Sequence, residues 1–214
     1  MTQTGPRVIK LGGSLLDWPE LAQNFRRWLA AQSDAVNILI VGGGTIVDAV
    51  RRLDIQHRLT AEAAHWLSIR GMGLTAKFVG ELLAEATCVH GLDELQFSAG
   101  AGLQILEVEQ FLRADQASAD ALPCGWEVTS DSIAARLATI LMARELVLLK
   151  STLAAAPSTR EELAQSGLVD AYFAHASRTL AVRIVNLRDP ESATILLNAD
   201  RAQNGVVYAP SPSA

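Results

Sequence analysis

Two short apolar segments of this chain each run into a glycine turn and then into a helical pattern. The first covers residues 7–11 and continues as Gly12-Gly13-Ser14; the second covers residues 36–41 and continues as Gly42-Gly43-Gly44. A strand, a tight turn and a helix in this order are typical of a parallel sheet with crossover helices. The repeated unit predicts an α/β fold, with both glycine turns at the carboxyl edge of the sheet.

The rest of the chain continues this alternation. Further strands are predicted at about 87–90, 103–107, 146–150 and 181–187, and helices at about 18–31, 46–53, 60–86, 129–141 and 159–165. Gly71-Met72-Gly73 interrupts the stretch 60–86, so one kinked helix and two separate helices both fit. The apolar residues of the 46–53 helix are expected to face the core. Together these elements predict a three-layer α/β/α sandwich with a mainly parallel central sheet.

Composition narrows the class of protein. The chain has a mass of 22.9 kDa and half of its residues are apolar, enough to bury roughly 70% of the unfolded surface. Residues 1–208 are therefore expected to form a single domain, and residues 209–214, with two prolines and two serines, a flexible tail. The net charge of −5 argues against nucleic acid and anionic membranes as partners.

The two cysteines, Cys88 and Cys124, are far apart, without C-x-x-C spacing or a histidine pair at metal-ligand distance. Neither a disulfide framework nor a metal site is predicted. Since no apolar run approaches about 18 residues, a membrane span is not expected either. These features together predict a cytoplasmic protein.

Lysine is rare and unevenly placed. The chain has three lysines against fifteen arginines, and Lys10 and Lys150 each end or nearly end an apolar strand-like run. At the carboxyl ends of parallel strands, both ammonium groups would converge on one site. Each could instead be an ordinary strand-end charge. Because Lys10 precedes its glycines, the segment is not a Walker A loop, whose lysine follows them.

The glycine turns favour an anion site. Amides freed by glycine can approach an oxyanion closely, and the first turn of the following helix adds unpaired N–H groups and a partial positive charge. Phosphate is the first candidate, and a flexible turn is the alternative. The second turn is a poor dinucleotide fingerprint, since the third glycine of G-x-G-x-x-G would fall at Val47.

Other polar residues have both structural and functional interpretations. Thr129 or Ser130 could cap a helix, while Asp131 near the strand ends could hold two lysines in place and keep them protonated. His65 is either a buried, hydrogen-bonded histidine or a substrate contact. Three arginines could each meet an acceptor phosphate or be solvated surface charges; they are Arg51, Arg52 and Arg70.

Four segments together resemble the amino acid kinase superfamily, which includes the aspartate, glutamate and uridylate kinases. They are Lys10 to Ser14, Val41 to Gly44, Thr129 to Ala134, and Leu148 to Lys150, and the resemblance covers most of the chain. The short length, Ala64-His65-Trp66-Leu67 and the segment 126–132 are similar to the small kinases of methanofuran biosynthesis. Those enzymes phosphorylate the monophosphate of 5-(aminomethyl)-3-furanmethanol to its diphosphate.

The resemblance implies a role for each candidate residue. Lys10 and Lys150 would be catalytic cations organised by Asp131; Gly12, Gly13, Ser14 and Ser151 would bind the nucleotide; Gly42, Gly43, Gly44, His65, Thr129 and Ser130 would bind the acceptor. It also implies ATP and Mg²⁺ as cofactors, with the ion held mainly by phosphates and water rather than by protein ligands. Residues 1–125 would form the acceptor-binding part, residues 126–208 a shortened nucleotide-binding part, and the stretch 60–86 a homo-oligomer contact.

One segment departs from the family pattern. Many relatives carry an Asp-x-Asp-Gly type segment after the penultimate strand, whereas here Lys150 is followed by Ser151-Thr152-Leu153-Ala154-Ala155-Ala156-Pro157. Several functions stay open: a kinase for a small phosphomonoester, a kinase for another small phosphate or carboxylate acceptor, a noncatalytic nucleotide-binding or oxyanion-binding assembly module, and a dinucleotide-dependent oxidoreductase.

Overall fold

The computed structural model describes residues 5–98, 100, 102–153, 159–189 and 194–198. The strands are β1 (Arg7–Leu11), β2 (Asn37–Val41), β3 (Thr87–Val89), β4 (Leu103–Leu106), β5 (Glu145–Lys150), β6 (Val182–Asn186) and β7 (Ile195–Leu197). The helices are α1 (Leu21–Ala30), α2 (Gly44–His57), α3 (Ala61–Leu82), α4 (Val108–Asp115), α5 (Ser130–Ile140), α6 (Arg160–Gln165) and α7 (Phe173–Ala176). The predicted tail and the domain boundary at residue 208 lie outside the described residues.

The strands form one sheet in the order β3-β4-β2-β1-β5-β6-β7. All neighbouring pairs are parallel except β6 and β7, which are antiparallel. The prediction of a mainly parallel sheet is confirmed. β1 lies between β2 and β5 in this order. The glycine turns that follow β1 and β2 therefore lie at the same edge of the sheet as Lys150, which ends β5.

Two apolar cores lie on opposite faces of this sheet. On β1, Val8 packs into one core and Ile9 into the other, as alternation along a strand requires. Helix α1 packs on the second face through an apolar stripe that includes Phe25 and Trp28. The first face is covered by α4, α5, α6, α7 and the first half of α3. The three-layer α/β/α sandwich is confirmed.

Helix α3 runs without a break through Gly71 and Gly73. The glycines therefore do not divide the stretch into two helices. A Cβ added at Gly71 would lie 3.0 Å from Cγ2 of Val47 on α2. Gly71 thus lets α2 pack closely against α3, and the cost of glycine in a helix is offset by this contact.

Helix α2 is longer than predicted and none of its residues is buried. The expectation that its apolar residues face the core holds only in part: Val47 is half-buried and packs against the first core, whereas Leu53 is 53% exposed, because α2 packs against α3 and not directly onto the sheet. The sequence interpretation also missed α4, α7 and the short strand β7, each eight residues or fewer. Elements this short give few periods from which to recognise them.

Candidate functional site

The ammonium groups of Lys10 and Lys150 contact a single buried carboxylate, that of Asp131. Nζ of Lys10 lies 3.0 Å from Oδ1, and Nζ of Lys150 lies 2.9 Å from Oδ1 and 2.7 Å from Oδ2. Lys10 is near the end of β1, Lys150 ends β5, and Asp131 is in the first turn of α5. The fold thus brings together three residues that are up to 140 positions apart in the chain.

Burial and mutual charge set the ionisation of this group. Burial raises the pKa of Asp131, but the two ammonium groups outweigh burial and lower it to about 2. Burial lowers the pKa of Lys150 to about 8, Lys10 adds to this effect, and Asp131 opposes it. At pH 7 Asp131 is therefore ionised and Lys150 is mostly protonated.

The two glycine turns pack backbone against backbone. A Cβ at Gly13 would lie 2.3 Å from the nitrogen of Gly44, and Gly44 has a φ of +51°, in the left-handed region. No side chain larger than hydrogen fits between the turns at Gly13 without displacing backbone. This close approach brings the start of α2, with its unpaired N–H groups, beside the turn that follows β1.

A cavity of about 400 Å³ lies beside these turns. Its walls come mainly from the Gly13-Ser14 turn, the first half of α2, the first half of α3 and the segment 125–130. We call it the larger cavity. It combines backbone amides at one end with apolar side chains such as Val47 and Met72, a composition suited to a small ligand with one charged group.

Polar side chains of the larger cavity come from α2, α3 and Trp126. Asp48 and Arg51 lie one turn apart on α2, and the Arg51 guanidinium carbon is 4.6 Å from the centre of the Trp126 ring. The indole nitrogen of Trp126 donates a hydrogen bond to Asp54 at 2.7 Å. Burial lowers the pKa of His65, with Glu127 opposing, so the imidazole is mainly neutral at pH 7.

A second, more open cavity of about 330 Å³ lies over the two lysines. Ser14 and Ser151 both line it, and their hydroxyl groups form a hydrogen bond with the oxygens 2.8 Å apart. Gly13, Ser14 and Thr129 border both cavities. The two spaces therefore adjoin, and the lysines lie on the side of the second cavity.

Of the thirteen candidate site residues, twelve line one cavity or both. The exception is Gly42, whose nitrogen donates to the carbonyl of Leu11 at 2.9 Å. A Cβ on Gly42 would lie 2.8 Å from the nitrogen of Gly13. Gly42 thus packs behind the cavity wall, which differs from the expected contact with a ligand. Thr129 lines both cavities, but its hydroxyl donates to Asp170 at 2.9 Å.

Sequence reasoning missed three features of the site. Asp170, in the loop before α7, lines the second cavity and accepts hydrogen bonds from the start of α5. No local pattern marks it. Asp48 and Trp126 line the larger cavity. The spacing of Asp48 and Arg51 by three residues on a helix could have indicated a shared face. Arg70 instead pairs with Glu109 at 3.4 Å.

Within the described parts of the chain, no group of three or more histidine, cysteine, aspartate or glutamate residues is arranged to hold a metal ion. The same residues include no helix that is both long enough and apolar enough to cross a membrane.

Comparison with known sequences gives two matches. Residues 6–152 match the model of the amino acid kinase family. The [5-(aminomethyl)furan-3-yl]methyl phosphate kinase of Methanocaldococcus jannaschii is 27% identical over 143 residues, which cover 66% of this chain and 63% of that protein. The match thus spans less than two thirds of the relative's length.

Solved structures share the fold at low identity. A UMP kinase from Bacillus anthracis superposes with a TM-score of 0.60 and 12% identity, over 87% of this chain and 88% of its own. A uridylate kinase from Archaeoglobus fulgidus superposes with a TM-score of 0.57 and 15% identity, over 84% of this chain and 89% of its own. An aspartate kinase from Synechocystis superposes with a TM-score of 0.58 and 15% identity, over 95% of this chain and 42% of its own.

Proposed function

Because the chain belongs to the amino acid kinase family, we propose that it is an ATP-dependent phosphotransferase that moves the γ-phosphoryl group onto a small phosphomonoester. The products would be a diphosphate and ADP. The candidate acceptor is [5-(aminomethyl)furan-3-yl]methyl phosphate, the compound in the name of the M. jannaschii relative.

The observation that carries this proposal is the contact of two lysine ammonium groups with one buried carboxylate in the second cavity, which adjoins the larger one. Phosphoryl transfer depends mainly on positioning and on neutralising charge spread over the equatorial oxygens. Lys10 and Lys150 supply that charge, and Asp131 fixes both side chains. The second cavity, with Ser14 and Ser151, fits the phosphates of the nucleotide, and the larger cavity fits the acceptor.

The reaction needs no general base. An oxygen of the acceptor phosphate attacks the γ-phosphorus, the bond from that phosphorus to the β,γ-bridging oxygen breaks, and ADP leaves with this oxygen. A phosphomonoester has a second pKa of about 6 and is largely a dianion at pH 7. Mg²⁺ would neutralise charge on the nucleotide phosphates, held mainly by those phosphates and water, since the described residues offer no carboxylate cage.

The larger cavity favours an acceptor that carries both a phosphate and an ammonium group. The amides of Gly43 and Gly44 and the guanidinium of Arg51 favour an anion. Asp48 lines the same cavity, and a carboxylate there would repel a ligand that is purely anionic. A protonated aminomethyl group beside Asp48 would offset this repulsion by attraction to the carboxylate.

The proposal is tested by incubating the purified chain with Mg-ATP and a panel of acceptors. The panel contains the aminomethylfuran phosphate, its analogue without the amino group, a nucleoside monophosphate and aspartate. We expect acceptor-dependent ADP release, and a diphosphate visible by phosphorus NMR, with the aminomethylfuran phosphate. ATP binding without acceptor-dependent ADP for any compound would instead support the noncatalytic module, which the altered segment after Lys150 motivates.

We further propose that the chain forms a homodimer through α3. Four large apolar side chains on this helix are exposed, and their spacing of seven, four and four residues places them on one face; they are Leu67, Leu74, Phe78 and Leu82. A second copy presenting the same stripe would cover them by a two-fold contact.

A further inference from the structure

The carboxylate of Asp170 accepts four hydrogen bonds from the start of α5. The backbone nitrogens of Thr129 and Ser132 each donate to Oδ2 at 3.0 Å, and the Thr129 hydroxyl donates to the same oxygen at 2.9 Å. The Ser132 hydroxyl donates to Oδ1. Asp170 belongs to a loop 38 and 41 residues away from these donors, so this contact is tertiary.

This carboxylate takes the place of a local helix cap. Thr129 is the residue that precedes α5, and its own side chain makes no capping hydrogen bond. Asp170 instead satisfies the free N–H groups there and complements the positive end of the helix. Its donors, Thr129 and Ser132, lie on either side of Asp131. The backbone that carries the lysine-binding carboxylate is therefore held from both sides.

Asp170 also acts on the lysines through its charge. The charged groups that face Lys150 are Lys10, which lowers the pKa of Lys150, and Asp131 and Asp170, which raise it against the dominant effect of burial. Asp170 lines the second cavity beside both lysines. Asp170 is thus linked to the two lysines both by its hydrogen bonds to the start of α5 and by its charge.

We propose that Asp170 is a positioning residue for phosphoryl transfer, whose carboxylate fixes the first turn of α5 and so holds Asp131 where it contacts Lys10 and Lys150. This inference rests on the proposed kinase function for its catalytic consequence. The placement itself can be measured without turnover.

The chain has three lysines, Lys10, Lys77 and Lys150, so a protein labelled with ¹³C at the lysine ε-carbons gives three assignable NMR signals. Lys77 is mostly exposed and serves as the internal reference. Asp170→Asn removes the charge and leaves one acceptor oxygen for the hydrogen bonds that two carboxylate oxygens accept, so the contact with the start of α5 is weakened. We expect the titration midpoint of Lys150 to move to lower pH in this variant, with that of Lys77 unchanged.

The matched control is Asp115→Asn. Asp115, the last residue of α4, pairs with Arg136 of α5 at 2.7 Å, so this variant also removes the charge of a largely buried carboxylate that contacts α5, but farther along that helix. We expect the Lys150 titration to match the wild type. An unchanged Lys150 titration in Asp170→Asn, or an equal change in Asp115→Asn, would overturn the inference.

Kinetics supply the second readout. Asp170→Asn should lower kcat about tenfold, equivalent to about 1.4 kcal/mol in the barrier, move the alkaline limb of the rate profile to lower pH, and leave both KM values within about twofold of wild type. Ser132→Ala, which keeps the Asp170 charge and removes one donor, should give a smaller fall in kcat without the pH change. This variant also serves if Asp170→Asn does not fold.

A lowered melting temperature in both variants with wild-type kcat at every pH would show that Asp170 serves stability alone and would contradict the proposal. If the wild type itself releases no ADP, the proposed function fails, while the lysine titrations still decide whether Asp170 acts on Lys150.

Discussion

The ammonium group of Lys150 lies 2.7 Å from one oxygen of Asp131 and 2.9 Å from the other, a bidentate contact within a buried site. Lys10 reaches the same carboxylate at 3.0 Å. An isolated buried cation would tend to lose its proton, and two neighbouring cations would repel each other. Asp131 offsets both effects, so its removal affects both ammonium groups at once.

Replacement of Lys10 by alanine should reduce turnover strongly. By analogy with the loss of one oxyanion-stabilising donor, the cost is about 3 to 4 kcal/mol in the barrier, or about 10² to 10³ in kcat. Acceptor-dependent ADP release measures the effect. Lys77→Ala is the control, because Lys77 is the remaining lysine and is mostly exposed on α3. Unchanged turnover in Lys10→Ala would contradict the catalytic assignment.

The pH dependence of the reaction should follow Lys150. Its pKa in the folded protein is about 8, below the ordinary value of 10.5 because of burial, and under the proposed function the protonated form is the one that stabilises the transferred group. Below about pH 7 deprotonation of Lys150 should therefore not limit activity, and activity should fall as the pH rises through about 8. The profile of kcat/KM in the free enzyme measures this.

Lys150→Arg supplies the control for that assignment. Arginine keeps its charge throughout the accessible range, so any residual activity of this variant should lack the decline near pH 8. A decline that persists unchanged in Lys150→Arg would show that another group titrates there.

The convergence of Lys10 and Lys150 could be predicted because the sequence features that indicate it are local. Lys10 and Lys150 each stand at or near the end of an apolar run, and strands of a parallel sheet share one carboxyl edge. Asp131, beside a helix start, could be placed at that edge for the same reason. The parallel strand direction, which the alternating pattern predicts, places these residues at one edge, and the observed strand order, with β1 beside β5, makes them adjacent.

Other parts of the site depend on tertiary packing that no local pattern contains. Asp170 contacts α5 from a loop 38 or more residues away, and nothing in its neighbours marks it as a cap. Gly71 looked like a helix breaker, yet it allows close contact with Val47. The outward position of α2 results from its packing on α3, which periodicity within α2 alone could not reveal.

Asp48 should determine the preference for an acceptor with an ammonium group. Asp48→Asn removes the charge but keeps the size of the side chain. Since Asp48 is exposed, we expect a modest loss of about 1 kcal/mol, which raises KM about fivefold for the aminomethylfuran phosphate. KM for the analogue without the amino group should fall or stay the same, because repulsion is removed.

The comparison of the two acceptors makes this test specific. Asp93→Asn, an exposed aspartate outside both cavities, is the matched control and should leave both KM values unchanged. Equal effects of Asp48→Asn on the two acceptors would exclude a contact between Asp48 and the ammonium group.

The apolar stripe on α3 should control assembly. Phe78 is 45% exposed near the middle of the stripe, and a glutamate there would bury a charge without a partner in a two-fold contact. Phe78→Glu should therefore convert the dimer to a monomer, as measured by sedimentation velocity across a concentration series. Met142→Glu is the control, because Met142 is 84% exposed and lies beyond the end of α5, away from the stripe. If the wild type is already a monomer at high concentration, or if Phe78→Glu assembles like Met142→Glu, the stripe on α3 is not the subunit interface.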